Sequence, residues 1–174
     1  MRNKLINNKR GFTLIEVLVV VALLGILSMA IYPNIRNAQE TRNLENSARE
    51  ILTTLHTAKF QAVKEKLFHR VRFFTQDGRW MSVVERRTDA GSDTWIKVPK
   101  TMYKTVPPQF NVTVDLPNDT VTFSTMGVVV DFDSTMNSIT LQSPKLHRQN
   151  QPDLRAVSVF AGGSVRYEKL QSGG

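Results

Sequence analysis

The chain of 174 residues contains no cysteine and only three histidines. Without cysteine no disulfide can brace an exported domain, which argues against a stand-alone secreted toxin or protease built for harsh surroundings. Stability must come from a packed core. His56, His69 and His147 are scattered along the sequence, have no cysteine partner and show no H-E-x-x-H spacing. Neither a G-x-S-x-G elbow nor a phosphate-cradling glycine loop occurs. The run Asp131 to Asn137 lacks the central glycine and terminal glutamate of a calcium loop, and is read as a polar turn. No group of residues meets the requirements of a catalytic site. The chain is therefore expected to be a non-enzyme without cofactor or metal.

Acidic residues are also missing from the first fifteen positions, whereas Arg2, Lys4, Lys9 and Arg10 are all basic. An apolar run follows from Phe12 to Tyr32, interrupted by a single charge, Glu16. At about 1.5 Å of helical rise per residue, those 21 residues span roughly the 30 Å of a hydrocarbon core. The basic leader would stay cytoplasmic by the positive-inside rule, leaving the bulk of the chain on the far side. A carboxylate at membrane depth costs about 2.5–3.5 kcal/mol, so Glu16 calls for a function. Two plainer readings remain open. Ser28-Met29-Ala30 fits the small-x-small pattern of a secretory signal peptide cut before Ile31. A simple single-pass anchor is the other.

The junction Lys9 to Glu16 reads K-R-G-F-T-L-I-E, and it resembles the processing site of type IV prepilins and type II secretion pseudopilins. The resemblance implies cleavage between Gly11 and Phe12 by a prepilin peptidase, with methylation of the new amino terminus on Phe12. It also implies that Glu16 pairs with a neighbouring subunit's terminus in a filament built on an inner-membrane platform. A buried ion pair is tolerable only with both partners present, so such pairing would reward correct register. Pro33 fits a helix that kinks or melts when pilin-like subunits pack, and fits equally a plain membrane exit.

From Asn34 to about Lys66 a helical stripe continues through Leu44, Ala48, Ile51, Leu55, Ala58 and Ala62. Glu45 and Arg49 form a favourable i,i+4 pair on another face. The period then changes to alternation, starting with Arg70 to Phe73 and Arg79 to Val83 about a turn at Gln76-Asp77-Gly78. Further short strands are expected at 95–98, 110–116, 120–123, 128–132 and 139–141, with a last hairpin of 157–161 and 165–167. The intervening segments 89–93, 106–108, 116–119 and 143–152 are expected loops. The fold class is α+β, a long N-terminal helix packed under an antiparallel sheet. Its divisions are a leader at 1–11, a membrane half-helix at 12–32, an exposed half-helix at 33–66 and a head at 67–174.

In the head, Phe123 to Gly127, Ser138 to Leu141, Arg155 to Val159 and Gly163 to Arg166 follow in order. They are similar to the head of pseudopilin H of type II secretion and to the related minor pilins of type IV pili. The formal net charge is +8, but four of the 23 basic residues lie in the leader, leaving 19 against 15 acidic ones. Some minor pilins of this kind bind DNA during uptake. That makes Arg70, Arg72 and Arg166 candidate nucleic-acid contacts, against the alternative of a basic surface meeting acidic neighbours. The function expected is thus a secretion pseudopilus subunit, with a pilus subunit touching DNA or a surface as the alternative.

Overall fold

The structure is a computed structural model that describes residues 12–172, with the side chains of residues 29–35 outside the description. The expected leader, and with it Gly11, lies outside the described residues. The chain divides into two compact units, Met1–Ala38 and Gln39–Gly174. Helix α1, Leu14–Glu65, contributes to both. Thr13 starts it, its hydroxyl accepting the Glu16 backbone N–H at 3.3 Å, which satisfies one donor left over at a helix start. The helix ends where Lys66 adopts a left-handed φ of 55°. Lys64 in the last turn complements the negative end of the helix.

The strands of the second unit form two antiparallel sheets, where the sequence led us to expect one. In the first, β1 (His69–Gln76) and β2 (Arg79–Arg87) make a hairpin. Its two-residue turn has φ 51° at Asp77 and 70° at Gly78, the handedness that matches strand twist. β3 (Trp95–Lys97) and the two-residue β4 (Lys104–Thr105) both pair with β2. β5 (Asn111–Asp115) belongs to the second sheet, whereas β6 (Thr120–Phe123) pairs with β1 and β7 (Val129–Val130) with β6. The second sheet runs in the order β10-β9-β8-β5, with β8 at Ser138–Gln142, β9 at Leu154–Val159 and β10 at Val165–Leu170.

The division falls between β5 and β6 for a local reason. Pro117–Asp119 form a 3-10 turn in which Asn118 and Asp119 have φ of 52° and 53°. Two successive left-handed residues behind a proline swing the chain away from its previous partner, so consecutive strands join different sheets. A second difference is helix α2, Pro144–Arg148, inside the expected loop 143–152. Ser143 caps it by accepting the Leu146 N–H, Pro144 sits in its first turn, and Leu146 is fully buried.

One core joins these parts. Leu44, Ala48, Leu55, Ala58 and Ala62 of α1 are completely buried, and Ile51 nearly so. They meet Val71, Phe73, Val121 and Phe123 of the first sheet and Ile139, Leu141, Val157 and Val159 of the second. Each large side chain removed from water contributes about 1.5–3 kcal/mol. The stripe read from helical spacing is therefore the surface under which both sheets close.

Candidate functional site

In the first unit the apolar side chains from Phe12, just ahead of α1, to Leu27 are exposed, with Phe12 at 80% and Leu14 at 84%. Glu16 lies exposed among them in the first turn. Its carboxylate meets no cation among the described residues. Position in the first turn gives it a local benefit from the helix dipole. Among the described residues no helix is long and apolar enough to cross a membrane. The expected span of 12–32 runs into the residues whose side chains are not described.

The head brings Arg70 and Arg72 together and leaves Arg166 elsewhere. Strand β1 turns Val71 and Phe73 to the core, so Arg70 and Arg72 share the outer face. Opposite Arg70 on β2 stands Glu85, only 8% exposed. Arg70 Nε and Nη2 are both 2.7 Å from Glu85 Oε2, and Arg72 Nε and Nη2 are 3.1 and 3.0 Å from Oε1. One carboxylate thus holds two guanidinium groups. Each is also seated on a ring, Arg70 at 4.3 Å from Trp95 and Arg72 at 4.7 Å from Phe74. Arg166 sits on β10 of the other sheet, 3.4 Å from Glu168 and 5.4 Å from the Phe160 ring.

Several further contacts differ from those read in the sequence or were not read there. Glu45 was expected to pair with Arg49. Instead it binds Lys169 directly and lies 3.6 Å from the buried Arg155, while Arg49 rests 5.2 Å from the Tyr167 ring. The hydrogen bond from Lys169 holds the Glu45 carboxyl below its ordinary value. Lys59 Nζ donates to the Gly163 carbonyl at 2.8 Å. There the last hairpin crosses the loop at Gly127 so closely that a Cβ on Gly163 would lie 1.9 Å from the Gly127 oxygen. The β7 N–H of Val129 donates to Ala161 O at 2.9 Å beside it, tying the two sheets together.

His147, Asp153 and Ser172 also converge, yet not as a catalytic relay. Ser172 Oγ is 2.7 Å and Asp153 Oδ2 is 3.1 Å from the same ring nitrogen, Nδ1. The hydroxyl donates to Asp153 at 2.6 Å, and both partners share Nδ1, whereas a relay sets the acid and the nucleophile on opposite ring nitrogens. Burial alone would raise the Asp153 carboxyl. Donation from the Ser172 hydroxyl and backbone N–H and from the Gln142 amide outweighs it and holds the group well below the usual range. Asp133, in the segment weighed as a calcium loop, accepts the Thr135 N–H and hydroxyl at 2.8 and 2.7 Å. No group of side chains suited to a metal ion occurs among the described residues.

A long N-terminal helix followed by a head of antiparallel sheets, with no group of side chains suited to a metal ion among the described residues, is an α+β architecture of the pilin-like class. Two family comparisons give the same class. The prokaryotic N-terminal methylation motif matches residues 6–32. Type II transport protein GspH matches residues 47–163, and the chain belongs to that family. Among solved structures, it is similar to the minor pseudopilin EpsH from the type 2 secretion system of Vibrio cholerae. Identity there is 15%, coverage is 73% of this chain and 97% of that one, and the TM-score is 0.53. The type IV minor pilin FimU of Pseudomonas aeruginosa matches at 17% identity over 74% of this chain and 90% of that one, with a TM-score of 0.44. No curated protein matches the chain.

Proposed function

We propose that this chain is a minor pseudopilin, a structural subunit of the periplasmic pseudopilus of type II secretion. Prepilin peptidase removes residues 1–11 and Phe12 is methylated. Residues 12–32 hold the protein in the inner membrane with its head in the periplasm, until an assembly platform draws it into the filament. The reading is carried by family membership over residues 47–163, preceded by the methylation motif at 6–32. Glu16 supplies the assembly chemistry: an unneutralised carboxylate in an apolar helix accepts the ammonium of a neighbour's Phe12. Its own amino terminus lies four residues away and would have to bend back to reach it. A subunit that keeps this carboxylate has a neighbour above it, and so does not occupy the extreme tip.

Deletion in the native host tests the system. Exoenzymes trapped in the periplasm, and released again when a plasmid copy is supplied, support the proposal. Normal release moves the chain to a type IV pilus, with piliation and DNA uptake as the phenotypes. Glu16→Ala and Glu16→Val test the mechanism, since both should insert in the membrane and fail to enter filaments. Normal assembly of either variant refutes the pairing. Terminal mass spectrometry should find methylated Phe12; an amino terminus at Ile31 would instead establish a signal peptide.

A further inference from the structure

The outer face of the first sheet is more than the Arg70 and Arg72 pair. Register places Lys97 opposite Glu85 and Trp95 opposite Arg87 on this same face. Arg87 lies 4.6 Å from the Phe68 ring and Lys97 4.6 Å from the Tyr103 ring. Arg87 also pairs with the rim residue Asp93 at 3.2 Å. Four cations thus face two carboxylates, leaving a net positive surface, and every one of the four is seated on an aromatic ring.

We propose that this face docks an acidic segment of a partner protein through its carboxylates. A guanidinium stacked flat on a ring is pre-organised, and it keeps edge N–H donors suited to a planar carboxylate. Little side-chain entropy is then lost on binding. Glu85 adds to the effect by fixing two guanidinium groups side by side, while charge complementarity sets the sign of the partner. Single-stranded nucleic acid fits the same face less well. Bases bind cationic sheets largely by stacking on free aromatic faces, whereas Trp95, Phe74, Phe68 and Tyr103 each already carry a cation. The inference is independent of the secretion reading, since it holds in any filament where the head meets a neighbour.

Fluorescein-labelled octaglutamate, titrated by anisotropy into the full-length chain in non-ionic detergent at low salt, tests it beside labelled oligothymidylate of equal charge. Octaglutamate should bind, and Arg72→Gln and Lys97→Gln should each weaken binding about three- to tenfold, as expected for loss of one contact of about a kcal/mol. Arg148→Gln, an exposed cation on α2, should leave it unchanged. If Arg72→Gln does not fold, the exposed Lys97 decides the question alone. No octaglutamate binding, or an equal loss in Arg148→Gln, would overturn the proposal. So would tighter binding of oligothymidylate with quenched Trp95 fluorescence, which would make the face a nucleic-acid surface.

Discussion

Replacing Gly163 with alanine should be the most damaging methyl group that can be added to the head, and three glycines allow the effect to be dissected. Gly162 has open space around its Cβ position and no left-handed φ, so Gly162→Ala should change stability by only a few tenths of a kcal/mol. Gly78 has φ +70° and also open space. Alanine there meets the left-handed penalty alone, about 1–2 kcal/mol. Gly163 has nearly the same φ, +72°, but its Cβ would stand 1.9 Å from the Gly127 oxygen and 3.2 Å from Lys59 Nζ. Relief requires the two loops to part, which strains the Val129 to Ala161 hydrogen bond and the 2.8 Å bond from Lys59. A hydrogen bond from a charged donor contributes about 1.5–3 kcal/mol. The expected loss for Gly163→Ala is therefore about 3–5 kcal/mol. Urea unfolding of the three variants, in the compact unit from Gln39 onward, gives the comparison directly. If Gly163→Ala costs no more than Gly78→Ala, the close crossing does not contribute to stability and the reasoning fails.

Asp153→Asn should cost about 2–3 kcal/mol near neutral pH, because it weakens a fully buried hydrogen-bond centre. The folded carboxyl lies below its ordinary value, so its stabilisation is complete above an unfolded value near 4 and is lost as pH falls through the folded value. The deficit should narrow below about pH 4; a deficit constant with pH would contradict the assignment. Glu85→Ala should destabilise by about 1–3 kcal/mol, since Arg70 and Arg72 are left facing each other without a counter-ion, and added salt should recover part of the loss. Leu55→Ala, at a fully buried position, should lower stability by about 2–5 kcal/mol in the same denaturation assay, and a loss below about 1 kcal/mol would contradict its place in the core.

The helix was legible because spacing alone carries it. Leu44 through Ala62 recur at three- and four-residue intervals, and all are buried. The first hairpin was legible from Asp77-Gly78, and that turn held more than was taken from it. Counting outward from a two-residue turn sets Glu85 opposite Arg70, which would have exposed the Arg–Glu–Arg cluster before any coordinates. Other features had no such signal. The parting of β5 from β6 depends on Asn118 and Asp119 taking left-handed backbones, which many residues in a polar loop do not. α2 is five residues long, too short for periodicity, though Ser143-Pro144 is a helix start in retrospect. Nothing in the sequence marks Arg155 as buried, yet it is 1% exposed and donates to the Pro152 and Leu154 carbonyls at 3.1 and 2.8 Å. Composition does not distinguish a buried arginine from a solvated one.

The polar ties between α1 and the second sheet all reach far along the chain. Lys59 meets Gly163 across 104 positions and Glu40 accepts a hydrogen bond from Ser143 across 103, while Glu45 waits for Arg155 and Lys169. Local helix and the first hairpin can form early, but these closures must wait until the last hairpin is available. Such long-range pairing is slow to form. A nascent chain therefore lacks the second sheet's cover over the Leu44 to Ala62 stripe until β8 and β9 have been made. Ending the chain before Gly163 would remove the ties of Lys59 and Lys169 while leaving those of Ser143 and Arg155. The last hairpin is in this sense a latch on what precedes it, because without the Gly163 turn and β10 the helix loses its ties through Lys59 and Lys169.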